Sequence, residues 1–292
     1  MIFAEDLGVP EGPVALADGR KWLVVEMGPE RGCVTLLDRE GRIERVIART
    51  GRPNGLAVDA DGTIWVAESK EPSLIRLSME GQAEVVLTEC DGEPFLFPNE
   101  LCFGPDGAHY MTEDSGVLFE DWERDGEIRK DFMQAEMDGR VYRIDPNTSG
   151  LEKIGSGIRF TNGIAFGPDE NLYVNETLTG MVYRYQYRDG KIEDGREDFG
   201  NVTYREIVDF PIGPDGMAFG QDGNLYVTVF GQGDVTVLSP EGGVVERMET
   251  AGSLPSNVAF GASGEQKIYV TEDEFGRMEV FEVGTEGLRL YS

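Results

Sequence analysis

Histidine is almost missing from this chain: His109 stands alone among 292 residues. A Ser-His-Asp hydrolase would have to build its base from that one imidazole, and no Gly-x-Ser-x-Gly turn is present to carry the serine. Cysteine is equally scarce. Cys33, Cys90 and Cys102 are odd in number and contain no Cys-x-x-Cys pair, which argues against a disulfide framework and for reduced thiols. There is no Gly-rich phosphate loop, and no apolar run approaches the roughly 20 residues of a membrane-spanning helix. Basic residues are also few: 26 Lys and Arg face 55 Asp and Glu, for a formal charge of -29. That charge repels nucleic acid and anionic lipid. The start, Met1-Ile2-Phe3-Ala4-Glu5-Asp6, lacks both a basic segment and an apolar one, so no secretory leader is expected. The expectation is a cytoplasmic protein with no nucleic-acid, membrane or obligate protein partner.

What the chain has in abundance is repetition. In Gly51 to Val66, Asn54 opens an apolar run, Asp61-Gly62 breaks it, and Trp65-Val66 opens a second run. The same shape recurs as Asn99 to Tyr110, Asn162 to Tyr173, Asp215 to Tyr226 and, more faintly, Glu11 to Trp22, each with eleven positions between polar residue and aromatic. A sixth copy, Asn257 to Tyr269, is longer by one. Each copy reads as a strand, a tight turn and a returning strand. Two further strands usually follow, as in Arg31 to Leu37 with Ile43 to Ala48. Markers spaced by 43, 45, 63, 53 and 42 residues match the blade length of a four-stranded propeller unit. The expected fold is all-β: a six-bladed β-propeller with four antiparallel strands per blade, forming one domain over residues 1–292. Ile2 to Leu7 would supply the outer strand that closes the last blade.

The innermost strands of a propeller line its axis, so Glu11, Asn54, Asn99, Asn162, Asp215 and Asn257 should converge at one channel end. All are oxygen donors, a set suited to a hard divalent cation. Turn capping by Asn before Gly accounts well for Asn54 and Asn257. It accounts poorly for Glu11, which stands in the same register, so a metal role is assigned foremost to Glu11, Asn162 and Asp215, with Asn99 open to either reading. The long third interval holds an insertion at residues 115–138, between the second and third strands of blade three. Strand direction puts it on the marker face, where Phe119, Trp122, Phe132 and Met133 make it a candidate lid. His109 falls within a returning strand and reads as a packed residue.

Glu11-Gly12-Pro13, Pro98-Asn99-Glu100-Leu101, Thr161-Asn162-Gly163-Ile164-Ala165-Phe166 and Pro214-Asp215-Gly216-Met217-Ala218 resemble the senescence marker protein/gluconolactonase family, which includes regucalcin-like lactonases. The resemblance runs through nearly the whole chain. It implies a propeller holding one divalent metal in its channel, with Glu11, Asn162 and Asp215 as ligands. It further implies that Asn99 touches substrate or a water on the ion, and that Asp215 doubles as general base. One departure is Phe97, where sugar-lactone members similar to the vertebrate protein carry Arg. Arg52 and Arg159, just before other markers, are candidate replacements, while Phe97, Phe160 and Trp122 would suit a less polar ester or lactone. The expected function is metal-dependent lactone hydrolysis, with Ca²⁺ foremost and Zn²⁺, Mn²⁺, Mg²⁺ or Fe²⁺ as other fits. Two readings stand beside it: a phosphotriesterase of the diisopropyl-fluorophosphatase type, and a non-catalytic binding module braced by a structural metal.

Overall fold

A computed structural model describes residues 1–17, 19–124, 127–145, 150–188, 191–193, 195–207 and 210–292. Within it, six four-stranded antiparallel sheets follow one another along the chain. Their inner strands are Pro10–Ala15, Pro53–Val58, Pro98–Phe103, Thr161–Phe166, Gly213–Phe219 and Pro255–Phe260. Each packs against the inner strands of the blades before and after it, and the sixth packs against the first, so the ring closes. The outer strand of the sixth blade is Ile2–Ala4, paired antiparallel with Arg277–Glu282. Expected and observed architecture agree, down to the closing strand.

Every part of the repeated motif has a physical job. The marker residue is second or third in its inner strand, and there the register slips by one residue: Pro53 faces Glu68 but Leu56 faces Val66. The same bulge recurs in all six blades. A bulge turns a side chain out of the alternation of the strand, and in this fold it does so at the channel mouth. The turn Asp bonds the backbone two residues on, as Asp59 Oδ1 accepts the Asp61 N–H at 3.0 Å. Its second oxygen accepts from the motif aromatic, Trp65 Nε1 at 3.1 Å in blade two and the Tyr173 hydroxyl at 3.0 Å in blade four. With its polar atom satisfied, the ring can be buried against the next blade. Tyr110 meets Phe166 edge-on at 4.9 Å, Tyr173 meets Phe219 at 4.9 Å and Tyr226 meets Phe260 at 5.1 Å.

A second repeating element escaped the motif reading. Five returning strands end in a buried glutamate: Glu26, Glu68, Glu113, Glu176 and Glu272. Each carboxylate accepts a backbone N–H from the segment entering the inner strand, namely Gly8 at 2.7 Å, Arg52 at 2.7 Å, Leu96 at 3.0 Å, Arg159 at 2.5 Å and Leu254 at 3.2 Å. These corners set the angle at which the chain delivers each marker to the axis. Blade five has Val229 there, and Gln232 Oε1 takes the Tyr204 N–H at 3.1 Å instead. Removing such an acceptor strands a buried donor, which costs about 1–3 kcal/mol.

His109 is 1% exposed, its ring between Trp65 at 4.2 Å and Phe103 at 4.6 Å. Burial pulls its pKa from 6.5 down to about 4. Since the unfolded chain protonates first, this contributes stability that is complete above about pH 6.5 and is lost as pH falls toward 4. His109→Phe keeps the stack without the titration. Urea unfolding at pH 7 and pH 5 is expected to show the wild type losing about 2 kcal/mol more than the variant, and equal losses would contradict this account.

Candidate functional site

The six markers meet at one end of the axis. Around the mouth, Asn257 Nδ2 donates to Glu11 Oε1 at 3.0 Å and also to Glu100 Oε2. Glu11 Oε2 accepts the Gly12 N–H at 3.0 Å and the Thr271 hydroxyl at 3.4 Å. On the opposite arc, Asn99 Nδ2 donates to Asp114 Oδ1 and, at 3.1 Å, to Asn162 Oδ1. Asn162 Nδ2 donates in turn to the Thr177 hydroxyl at 3.3 Å. Glu11, Asn54, Asn99, Asn162 and Asn257 are buried, whereas Asp215 is half-buried.

Three further carboxylates belong to this group. Glu100 stands where four other copies carry glycine, so a break in the repeat was its sequence signal. Asp114 and Asp273 each follow a corner glutamate, at the position that gives Ser69 and Thr177 in blades two and four. That shared polar position was also legible, but only after the corner glutamates were known.

The charges are poorly compensated. Burial, followed by repulsion from Asp215, Glu100 and Asp273, holds the Glu11 pKa well above its usual range. Burial and then Asp273, Asp114 and Glu100 do the same to Asp215. Burial likewise raises Asp114 and Asp273, and takes Glu100 to about 7. Asn99 Oδ1, also buried, has no hydrogen-bond partner. Mutually repelling carboxylates beside an unpartnered amide oxygen fit a hard cation, which takes oxygen ligands of both kinds. Among the described residues no three of His, Cys, Asp and Glu converge closely enough to hold an ion alone. Amide oxygens would therefore have to complete the shell.

Above the mouth lies the insertion, of which residues 125 and 126 fall outside those described. Its base is pinned by the Asp138 N–H bonded to the Ser115 carbonyl at 2.9 Å. Phe97, Trp122, Phe132, Phe160 and Leu178 form one buried cluster with Phe119, Met133 and Met137 packed on it. Trp122 lies 4.4 Å from Phe160, and Phe97 lies 5.5 Å from Phe119. Phe160 adopts φ 68°, a conformation uncommon for an aromatic residue, and the cluster holds it there. The Arg52 guanidinium stacks over Phe119 at 3.9 Å, with Nη1 bonded to Ser69 Oγ at 2.9 Å. Arg159 donates to the Met133 carbonyl at 2.6 Å and borders an open depression of about 500 Å³ with Ser115, Gly116 and Ala135. Of the expected substrate contacts, Arg52 lies under the insertion against Phe119, while Phe97, Trp122 and Arg159 are tied into its packing.

A six-bladed propeller with an oxygen-rich site at one axial mouth is the class these features define. Residues 9–273 match the model of the SMP-30/Gluconolactonase/LRE-like region, and the chain belongs to that family. It is similar to the gluconolactonase of Zymomonas mobilis, 28% identical over 288 residues that cover 90% of this chain and 76% of that protein. It is also similar to the diisopropyl-fluorophosphatase of Loligo vulgaris, 26% identical over 305 residues covering 98% and 93%. Among solved structures, the calcium-binding protein regucalcin from Agrobacterium tumefaciens aligns with a TM-score of 0.76 at 18% identity, covering 100% of this chain and 95% of that one. That likeness is one of fold.

Replacing residues 117–136 by a short Gly-Ser linker is expected to change KM or substrate preference while circular dichroism and metal affinity hold. An unchanged substrate profile would make the insertion a surface loop.

Proposed function

We propose that the protein is a hydrolase that opens a lactone or related cyclic ester at the channel mouth, using one divalent cation held by Glu11, Asn162 and Asp215. The observation that carries this is the gathering of mutually repelling carboxylates, Glu11 and Asp215 among them, at the mouth that also holds the unpartnered Asn99 Oδ1. The similarity to a gluconolactonase over most of the chain supports the reaction class. Bound at this site, the ion would supply Lewis acidity toward the carbonyl oxygen and make water more acidic. Carboxylate and amide donors favour Ca²⁺ first, with Mg²⁺, Mn²⁺, Zn²⁺ and Fe²⁺ as alternatives.

The residues divide the work. Asp215, only half-buried, takes a proton as the water oxygen bonds to the carbonyl carbon. It returns that proton to the ring oxygen as the ring C–O bond breaks, leaving a hydroxy acid. Asn99 can only accept through Oδ1, so it orients a hydroxyl or the attacking water rather than the carbonyl oxygen. Arg52 offers its remaining donors to an acceptor on the substrate. Phe97, Phe160 and Trp122 exclude water beneath the insertion, which acts as a lid within a single domain over residues 1–292. Arg159 holds the lid through Met133. No helix among the described residues is long and apolar enough to cross a membrane, and the free thiols Cys33, Cys90 and Cys102 fit the cytoplasm as location.

Phosphotriester hydrolysis is the second reading, favoured by the near full-length similarity to the Loligo enzyme. Panels of lactones and phosphotriesters, assayed with and without added divalent ions, separate the two. Asp215→Asn keeps a ligand oxygen but removes the base. It should lose lactonase activity by more than the ~10²–10⁴-fold typical of a general base, because metal affinity falls as well. Glu11→Gln should recover much of its activity at high metal concentration and Asp215→Asn little. Equal rescue of both would remove Asp215 as base. A wild type inert to every substrate, yet thermally stabilised by the ion, would favour the braced scaffold.

A further inference from the structure

We propose that Asp114 is a positioning residue that fixes the amide of Asn99 with its oxygen turned to the channel; the part assigned to Asn99 rests on the function proposed above. The direction of the amide follows from both ends of one hydrogen-bond chain. The Pro214 carbonyl can only accept, so the Thr177 hydroxyl donates to it at 2.9 Å. Thr177 must then accept from Asn162, whose Nδ2 lies at 3.3 Å. That places Asn162 Oδ1 as an acceptor facing Asn99, 3.1 Å from its Nδ2. At the other end stands the Asp114 carboxylate, an acceptor when ionised, bonded to the same nitrogen. With both N–H groups taken, flipping the Asn99 amide would set its oxygen against two acceptors. The buried Oδ1 without a protein partner is the consequence.

Asp114 is itself clamped. Its N–H bonds the Phe97 carbonyl at 3.0 Å, and its carbonyl accepts the Thr161 N–H at 2.7 Å, joining blades three and four. A Cβ on Gly139 would lie 2.3 Å from that carbonyl oxygen, so the neighbouring strand leaves no slack. The side chain is 1% exposed and cannot reach bulk solvent. It acts on the site through Asn99, whose other N–H holds the oxygen of the proposed ligand Asn162, as supporting residues around metal ligands commonly do.

The test uses the full chain with Ca²⁺ alone as probe. In the metal-free wild type, ¹⁵N-resolved spectra should show a dispersed, slowly exchanging side-chain amide pair, assigned to Asn99 by its loss in Asn99→Ala. Asp114→Ala should collapse that pair to solvent-like shifts. By calorimetry it should also weaken Ca²⁺ binding about 10- to 100-fold, while adding little in the Asn99→Ala background. Asp114→Asn, which retains an acceptor oxygen, should recover most of the affinity with a weaker amide shift. An Asn99 pair unmoved in Asp114→Ala, or an equal loss of affinity with and without Asn99, would overturn the proposal. If Asp114→Ala does not fold, the amide shift in Asp114→Asn decides, and an unmoved pair there overturns it. A wild type that binds no Ca²⁺ would count against the cofactor reading, and the metal-free spectra would still judge Asp114.

Discussion

Six strands sharing one axis leave almost no room at the glycine that follows four of the six markers, and much of the site follows from that crowding. A Cβ on Gly55 would lie 2.6 Å from the Asn99 carbonyl oxygen, and one on Gly216 would lie 2.1 Å from Asn257 Oδ1. Each blade thus presses its backbone on the marker of the next. Glycine at these points lets the markers crowd together, and the bulge turns them inward. Glu100 departs from the glycine pattern and sends a carboxylate across the mouth to Asn257. Its own bulk crowds the place beside Gly55, where a Cβ would stand 2.4 Å from Glu100 Oε1.

Two groups of buried carboxylates stand near the channel, and the contrast between them bears on the functional reading. Those at the strand corners accept backbone N–H groups and serve the chain path. Those at the mouth are also hydrogen-bonded, but they crowd one another, and mutual repulsion adds to burial in raising the charge on Glu11 and Asp215 in energy. A buried charge without a partner costs several kcal/mol. Evolution of stability alone would favour apolar residues there. Their presence marks a place kept for something other than packing, and a cation at the mouth, as proposed above, would relieve that repulsion.

The blades were legible because hairpin geometry ties marker, turn and aromatic to a constant spacing, and one residue type does one job at each point. The bulge itself was not, since nothing in Asn54-Gly55-Leu56 separates a bulged start from a regular one. Corner glutamates such as Glu68 and Glu113 were hidden in a chain with 55 acidic residues, where one more acid reads as surface. Val229 also breaks their series. Strand direction placed the insertion on the marker face, but which aromatic meets which depends on side-chain packing across four chain segments. That information has no period to follow. Asp114 and Asp273 were missed for a related reason: their role depends on an inter-blade contact, not on their neighbours in sequence.

The seam between first and sixth blades has a kinetic consequence. Asn257 and Glu11 are bonded across 246 positions of chain, so this arc of the mouth is among the most non-local contacts in the molecule. Contacts of that kind form late, because the loop must close before they contribute. The entropy of so long a loop grows only slowly, by about 0.6 kcal/mol for each doubling, so the delay is one of order more than of stability. During synthesis Glu11 emerges early and waits, a carboxylate near the axis of an open arc, until the last blade is made. A chain stopped after five blades would keep the core clusters between its own blades and the Asn99–Asn162 arc, but would lack both the closed ring of donors and the two clusters that blade six completes.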